Sequence, residues 1–288
     1  MGQTEAGVSV LLIHTGGTIG MVPGPEGLLP APGVVEAAVT ARLAPGARLH
    51  THVFAPLRDS ADIGPSDWNA MLDAIDAHPG MPVIVTHGTD TMACTGAALS
   101  RALQGTGRRV VLCGAMRPLG QGGDAERNLD LALAATRAPG SGVDLAFDGR
   151  LMSAAGLVKH DSQGRDAFRS QPQDTAPPPA RRRFAPRRFA ILTLSPGLPA
   201  AALAAMLGAL DGAVLRVFGA GTVMSDPALS QVLRVSVAAG KRLRAVSQCE
   251  AGGLSPGAYA AGAGLWAAGV ENGGRETPEA ALVRLWLG

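Results

Sequence analysis

The chain has no long apolar run. Although 47% of its 288 residues are hydrophobic, no stretch approaches the roughly 18–20 consecutive apolar residues that a membrane-spanning helix needs. It is also poor in charge, with 17% charged residues and a formal net charge of +2. The sequence therefore predicts neither a membrane protein nor a nucleic-acid binder. Enough Val, Leu, Ile and Ala remain to bury a sizeable core, which argues against disorder.

Cysteine is scarce as well. Cys94, Cys113 and Cys249 are odd in number and lack the spacing of metal ligands, which excludes a disulfide framework and a zinc site and favours a reducing compartment. Residues 1–8 have no basic region of the kind that opens a secretory signal, and the apolar stretch that follows has only the length of a strand. We therefore expect a cytoplasmic protein without a membrane segment.

Short β-rich runs alternate with helical patterns in the first part of the chain. The alternation predicts an α/β fold with a doubly wound, mostly parallel sheet that carries helices on both faces. In such sheets the ligand lies beyond the carboxyl ends of the strands. Ser66 is the expected N-cap of one helix. The predicted strands are residues 8–14, 48–54, 82–86 and 109–113, and the predicted helices are residues 66–77, 91–103 and 124–137.

The composition changes between residues 171 and 188, where three consecutive prolines are followed by five arginines. We interpret this stretch as a solvated linker. A polyanion contact is the alternative, although Phe184 and Phe189 alone offer little base stacking. The predicted domains are residues 1–170, the linker 171–188, and a smaller C-terminal α/β domain at 189–288. That domain is expected to contain strands 189–194, 213–218 and 242–247 and helices 198–210, 226–238 and 277–286.

Two polar clusters follow predicted strands. The first, TGGTIG at residues 15–20, has adjacent glycines that let the backbone approach a small ligand, followed by the hydroxyl of Thr18. Its spacing is not that of a dinucleotide fingerprint, and a plain glycine turn is the alternative. The second, THGTDTM at residues 86–92, places Thr89 beside Asp90. A structural role as the N-cap of the next helix is the alternative, but it accounts for only one of the oxygen-bearing side chains in this motif. His87 is either a general base or a structural residue.

Two further features carry polar chemistry. The chain has only two lysines, Lys159 and Lys241, among many arginines. Because a buried lysine can lose its proton and an arginine effectively cannot, Lys159 could exchange a proton through the Thr89 hydroxyl; an ordinary surface lysine is the alternative. Asp59, Ser60 and neighbouring residues offer acceptors and a hydroxyl suited to an α-amino, α-carboxylate ligand, or form an ordinary polar loop.

These motifs, in this order, resemble the bacterial asparaginases. The resemblance rests on residues 15–20, 86–92, CGAMRP at 113–118, and Lys159. The stretch DSAD at 59–62, followed by Pro65, Asp67 and Trp68, is similar to the cytosolic type I branch. Residues 195–197, 215–219 and 248–249 extend the likeness over nearly the whole chain.

The resemblance implies an amidohydrolase that converts L-asparagine to L-aspartate and ammonia, with neither metal nor organic cofactor. It implies that Thr18 is the nucleophile that forms an acyl-enzyme and that Thr89, Asp90 and Lys159 form a second triad. Asp59, Ser60 and Asp90 would hold the α-amino and α-carboxylate groups. The full implied binding set comprises Gly17, Asp59, Ser60, Ala61, Gly88, Thr89, Asp90 and Ala115. A homodimer or homotetramer is expected, and glutaminase side activity is possible because one methylene separates the two amides.

One position departs from the family pattern. Family members usually carry a tyrosine in the loop after the first motif, whereas this chain has Leu28 there and its single tyrosine is Tyr259. Leucine can neither pass a proton nor donate a hydrogen bond, so we expect slow turnover or the use of Glu26 or water, and a loop of altered mobility. Two alternatives stay open: an amino-acid-binding or sensor protein that has lost turnover, and an ammonia-releasing transamidase subunit. The second is disfavoured because the sequence begins directly at the first strand.

Overall fold

The computed structural model describes residues 8–288, so the predictions for the first residues of the chain lie almost entirely outside the described part. The chain divides into two compact units, Met1–Ser170 and Gln171–Gly288. Residues 171–188 contain neither helix nor strand. Among the described residues, no helix is both long and apolar enough to cross a lipid bilayer.

The first unit is built on a six-stranded sheet in the order β4-β1-β5-β6-β7-β8. The first five of these strands are parallel, and β8 runs antiparallel to β7. The strands of the unit are β1 (Val10–Gly16), β2 (Met21–Gly24), β3 (Gly27–Pro30), β4 (Leu49–Arg58), β5 (Val83–Thr86), β6 (Arg109–Cys113), β7 (Gly142–Phe147), β8 (Arg150–Ser153), β9 (Leu157–Lys159) and β10 (Phe168–Ser170). The helices are α1 (Val34–Thr40), α2 (Pro65–Asp76), α3 (Met92–Ala102) and α4 (Ala125–Arg137), with 3-10 turns at Thr18–Gly20, Ser60–Asp62 and Ala154–Gly156.

The central strands form because they are continuous apolar runs. Residues of β1, β5 and β6 such as Leu12, Ile84 and Val111 are fully buried and pack with α1 and α4 in one core cluster. Helices α2 and α3 contact each other and the strands β1 and β7. Burial of both faces is the usual environment of parallel strands, and it positions their carboxyl ends rigidly. The predicted α/β class with a mostly parallel sheet is confirmed.

The second unit has a four-stranded parallel sheet in the order β11-β12-β13-β14. Its core lies between this sheet and the helices α5, α6 and α7 on one side, with a smaller cluster under α8. The elements are β11 (Phe189–Thr193), α5 (Ala200–Gly208), β12 (Gly212–Val217), α6 (Pro227–Ala238), β13 (Arg242–Ser247), a 3-10 turn (Ala260–Gly262), α7 (Ala263–Ala267), β14 (Glu271–Asn272) and α8 (Pro278–Leu287).

Two local predictions need correction. Helix α2 begins at Pro65 with Gly64 as N-cap, and the Gly64 N–H donates to the Asp67 carboxylate at 3.0 Å, so Ser66 is not the cap. Proline is favoured at the first helical position because its fixed φ suits a helix and its missing N–H costs nothing there. Residues 21–28, which we expected to form a loop, belong to a β2–β3 hairpin that extends to Pro30 and in which Leu28 pairs with Pro23. The left-handed φ of +130° at Gly27 allows the tight turn.

The three thiols should differ sharply in reactivity. Cys249 is exposed, Cys94 is half-buried and Cys113 is buried, and none of the three forms a disulfide bond. Burial raises the pKa of the Cys113 thiol, with the nearby Asp124 charge adding to the effect. Because the thiolate is the reactive form, we expect Cys249 to react first with a disulfide reagent in the native protein and Cys113 only after denaturation. Time-resolved thiol titration checks this; loss of the fast phase in Cys249→Ser supports it, and an unchanged fast phase contradicts it.

Candidate active site

Two glycine-containing motifs meet at one edge of the first sheet. Strands β1 and β5 are parallel neighbours in which His14 pairs with Thr86. The segments that follow the two strands therefore leave the sheet next to each other, at the same edge. Beyond β1 the chain turns through Gly17 into the Thr18–Gly20 turn, and beyond β5 it continues through Gly88 into α3. The carboxyl edge of a parallel sheet is where ligands of α/β proteins bind.

The glycines of these motifs are required by close packing. A Cβ at Gly17, where φ is +88°, would lie 2.4 Å from the backbone nitrogen of Gly88. A Cβ at Gly88 would lie 2.7 Å from the hydroxyl oxygen of Ser60. No real Cβ atom tolerates such distances, so the two motifs and the Ser60 turn can approach only because both residues are glycine. The structure thus brings together three of the segments that the sequence singled out.

Lys159 joins the site from the end of β9. Its Nζ donates hydrogen bonds to the Thr89 hydroxyl at 2.9 Å and to the Asp90 carboxylate at 2.6 Å. The Lys159 side chain is largely buried, with 15% of its surface exposed, whereas that of Asp90 is 71% exposed. The lysine nitrogen and the threonine hydroxyl are therefore in direct hydrogen-bond contact, while Asp90 also faces solvent. Lys159 is not the ordinary surface lysine that the alternative interpretation required.

The Ser60 turn is tied to the second motif. Ser60 is buried, and the Asp59 carboxylate caps its 3-10 turn by accepting the Ala61 N–H at 2.8 Å. The Thr91 hydroxyl donates to the Ser60 carbonyl at 2.5 Å. Asp59 and Ala61 are exposed. The turn therefore presents one buried hydroxyl beside exposed acidic groups.

Ala115 lies two residues beyond the end of β6 and is buried. Its neighbour Gly114 packs closely, since a Cβ there would lie 2.7 Å from the His87 carbonyl oxygen and 3.6 Å from the Thr89 methyl carbon. The Asp124 carboxylate holds the following loop by accepting the N–H groups of Met116 and Arg117. This loop therefore borders the Thr89 side of the site.

Several anchoring contacts escaped the sequence analysis. A hydrogen bond of 2.7 Å joins His14 Nδ1 to the Thr86 hydroxyl, and the Thr15 hydroxyl donates to the Thr86 carbonyl at 3.0 Å. These contacts fasten the end of β1 to the end of β5 just before the two motifs begin. The polar residues at the ends of buried strands indicated that such contacts could form. Which residue each of them contacts depends on the strand register, and the sequence alone does not show the register.

Comparison with known proteins agrees with this arrangement. The family model "Asparaginase, N-terminal" matches residues 9–178, and "Glutaminase/Asparaginase C-terminal domain" matches residues 188–288. The chain is 31% identical over 311 residues to L-asparaginase 1 of Escherichia coli, which covers 96% of this chain and 90% of the relative. The chain belongs to the asparaginase family.

Solved structures of asparaginases superpose on most of the chain. The thermostable L-asparaginase from Thermococcus kodakarensis matches with a TM-score of 0.81 and 30% identity, covering 97% of this chain and 92% of that one. L-asparaginase I from Vibrio cholerae matches with a TM-score of 0.83 and 28% identity, at the same coverage. The resemblance inferred from the motifs is confirmed.

In this asparaginase-family chain His87 has a structural environment. It is fully buried, its Nδ1 donates to the Gly88 carbonyl at 2.7 Å, and its Nε2 accepts the Thr95 hydroxyl at 2.9 Å. Thr95 in turn accepts the indole N–H of Trp68 at 3.0 Å. Burial lowers the pKa of His87 to about 4, although the Gly88 hydrogen bond and the charges of Asp59 and Asp67 oppose the shift. Both ring nitrogens are occupied, so we assign His87 to the support of Gly88.

The neutral state of His87 should make stability depend on pH. The folded-state pKa near 4 lies below the ordinary 6.5. As the pH falls below 6.5, the unfolded chain takes up a proton that the folded chain refuses, so stability is lost between 6.5 and 4, by about 3 kcal/mol in total. Urea unfolding of wild type and His87→Gln across this range isolates the effect. We expect a steeper loss in the wild type; parallel curves would contradict the assignment.

Proposed function

We propose that the protein hydrolyses the side-chain amide of L-asparagine to L-aspartate and ammonia through a covalent acyl-enzyme on Thr18. The observation that carries the proposal is the hydrogen-bonded group of Lys159, Thr89 and Asp90 beside the Gly17–Gly88 contact. Membership of the asparaginase family and the similarity to enzymes named L-asparaginase support the same reaction. A protein that only binds amino acids has no need of two hydroxyls and a lysine.

Thr18 is assigned as the nucleophile. It is half-buried on the turn after Gly17, and within residues 8–288 its hydroxyl has no hydrogen-bond partner, so it is free to attack. In the first half-reaction its oxygen bonds to the side-chain amide carbon, the C–N bond breaks, and the nitrogen leaves as ammonia with the proton of the hydroxyl. A threonine hydroxyl is a weak nucleophile and needs donors for the oxyanion that forms. We assign this role to backbone N–H groups beside Gly17 and Gly88.

Lys159, Thr89 and Asp90 are assigned to proton transfer. In the second half-reaction a water attacks the ester carbon, the Thr18 oxygen leaves and regains a proton, and aspartate is released. Thr89 can take a proton from that water while it passes its own hydroxyl proton to the Lys159 amine, 2.9 Å away, and the same path returns a proton to the Thr18 oxygen. Asp90 orients the lysine through its 2.6 Å contact. Positioned acid–base groups of this kind contribute about 10²–10⁴-fold to a rate.

The amino-acid head group is assigned to the exposed rim of the site. The carboxylates of Asp59 and Asp90 suit the α-ammonium group, and the buried hydroxyl of Ser60 suits the α-carboxylate. Ala61 and Ala115, with the glycines, would line the remaining space. Charge pairing with the α-ammonium group and a hydrogen bond to the α-carboxylate explain why a free amino acid, rather than a simple amide, is the proposed substrate.

Ammonia release from L-asparagine, L-glutamine and acetamide tests this function. We expect turnover of L-asparagine, a lower kcat/KM for L-glutamine by about 10–200-fold because one methylene is worth about 1–3 kcal/mol, and none for acetamide, which lacks the head group. Since the proposed chemistry uses only side chains and backbone N–H groups of the protein, dialysis against a chelator should leave the rate unchanged. If there is no turnover but L-aspartate still raises the melting temperature, the protein binds amino acids without hydrolysing them, and the proposed enzymatic function is wrong.

We also propose that the active protein is a cytoplasmic homodimer or homotetramer, as the family resemblance implies. The exposed position of Asp59 and Asp90 supports a site that a second subunit could cover. Light scattering after size-exclusion chromatography measures the mass directly. A monomer with full activity would contradict the proposal.

A further inference from the structure

A cavity of about 580 Å³ in the first unit lies outside the group of side chains assigned to asparagine hydrolysis. It opens between the loop after β6, the start of α4 and the segment that follows β9. Its volume is within the range of about 300–1,000 Å³ that is typical of small-molecule sites. The lining residues are Met116, Arg117, Gly122, Gly123, Asp124, Arg127, Ser162, Gln163 and Arg165.

The cavity is strongly cationic. Arg117, Arg127 and Arg165 line it, and within residues 8–288 neither Arg117 nor Arg127 has an acidic partner. Arg165 has only a distant one, the Asp148 carboxylate at 3.6 Å. Three guanidinium groups around one cavity repel each other and are stabilised by an anion.

The one carboxylate in the lining can offset only one of the three arginine charges, and its oxygens are hydrogen-bonded to other groups. Asp124 is buried, and its oxygens accept the N–H groups of Met116 and Arg117 and the side-chain amide of Asn128. Its oxygens are therefore used to hold the loop in place by hydrogen bonds. Unlike the arginines, it has the partners that a buried carboxylate requires.

The backbone beside the cavity passes close to Arg117. Gly122 has a φ of +62°, and a Cβ at Gly123 would lie 2.5 Å from the Cβ of Arg117, so only glycines let this loop pass so close to the arginine. Helix α4, which begins at Ala125, has no side-chain cap on its first N–H groups. Ser162 and Gln163 supply further polar side chains on the opposite wall.

We propose that this cavity binds a small molecule through a phosphate group. Guanidinium groups pair with phosphate oxygens in a bidentate manner, and several arginines around one site suit a dianion better than a single carboxylate. The volume leaves room for more than the phosphate itself, which favours a phosphate monoester the size of a nucleotide. The proposal does not rest on asparagine hydrolysis, because none of the lining residues has a role in that reaction.

Calorimetric titration of the full chain, in chloride buffer at constant ionic strength, tests this proposal. The ligands are inorganic phosphate, adenosine monophosphate, adenosine and L-aspartate. We expect both phosphate compounds to bind, the monoester more tightly, and adenosine not to bind. L-aspartate measures the contribution of a carboxylate anion; because it is also expected to bind at the proposed active site, only the binding lost in Arg127→Ala is assigned to this cavity, and that part should be weaker than for phosphate.

Arginine variants locate the binding. Arg117→Ala and Arg127→Ala should each weaken monophosphate binding about tenfold or more, because each removes a charge-assisted contact. Arg137→Ala, which removes the same charge from the far end of α4, is the matched control and should bind as the wild type does. Arg165→Ala tests the opposite wall should a loop variant fail to fold.

Three results would overturn the proposal. The first is the absence of binding heat for both phosphate compounds. The second is equal affinity in wild type and the arginine variants, which would mean an adventitious ion only. The third is a change of oligomeric state in Arg127→Ala without phosphate binding in the wild type, which would identify the cavity as a contact between copies of the chain.

Discussion

Lys159→Met is expected to lower kcat for L-asparagine by about 10²–10⁴-fold, the range of a positioned acid–base group. Methionine keeps a long unbranched chain in the half-buried space but cannot exchange a proton or donate to Thr89 and Asp90, which both bond to the lysine Nζ. The loss should fall mainly on kcat, because the assigned role lies in proton transfer rather than in holding the head group. Steady-state ammonia release over a range of asparagine concentrations measures both constants.

The chain supplies its own control for this variant. Lys241 is the one other lysine, and its Nζ donates to the Leu210 carbonyl in the second unit. Lys241→Met should therefore leave kcat/KM unchanged. Equal losses in both variants, or an Lys159→Met enzyme that turns over at the wild-type rate, would remove Lys159 from the proposed mechanism.

Thr18→Ala is expected to reduce turnover of L-asparagine by about 10⁴-fold or more, because loss of a covalent nucleophile removes the reaction path itself. Thr18→Ser keeps the hydroxyl and should retain part of the activity. Since neither change disturbs Gly17 or Ser60, L-aspartate should still bind, and calorimetry checks this separately from turnover.

Thr40→Ala is the matched control for the threonine variants. Its hydroxyl donates to the Glu36 carbonyl at an exposed position of α1, away from the assigned residues. It should keep wild-type kcat/KM. Undiminished turnover in Thr18→Ala would mean that another group attacks the amide, and the assignment of Thr18 would fail.

The strands that carry the motifs were predictable, because β1, β5 and β6 are continuous apolar runs followed by glycine or polar residues. The strands β7 to β10 and helix α1 were missed. Several of these are only three or four residues long, and their pairing is decided by neighbours distant in sequence. The hairpin after Thr18 was missed for the same reason, since Leu28 and Leu29 are exposed and give no pattern of burial.

The polar clusters of the site were also predictable, since residue types and positions at strand ends indicated them. What the sequence left open was how they meet. The Gly17–Gly88 contact and the His14–Thr86 bond follow from strand register, which is a tertiary property. For His87 the sequence left the role open, because a histidine can act as a general base. The structure shows that both of its ring nitrogens are already hydrogen-bonded, which indicates a supporting role.

Leu28 remains the position where the family resemblance and this chain diverge. In the hairpin its side chain is 44% exposed, and it offers no group to align or activate Thr18. The proposed mechanism therefore relies on Lys159, Thr89 and water for proton transfer. A tyrosine at this position, Leu28→Tyr, is expected to raise kcat if the missing hydroxyl limits the rate, and the same ammonia assay measures it.

Intact-mass spectrometry of the acyl-enzyme tests the central claim most directly. The Thr89→Val variant should accept the acyl group but release it slowly, because Thr89 is assigned to the activation of water. Mixing it with L-asparagine and quenching in acid is predicted to add the mass of one aspartyl group, which peptide mapping places on Thr18. Release of ammonia without any added mass, or an aspartyl group on another residue, would contradict the account.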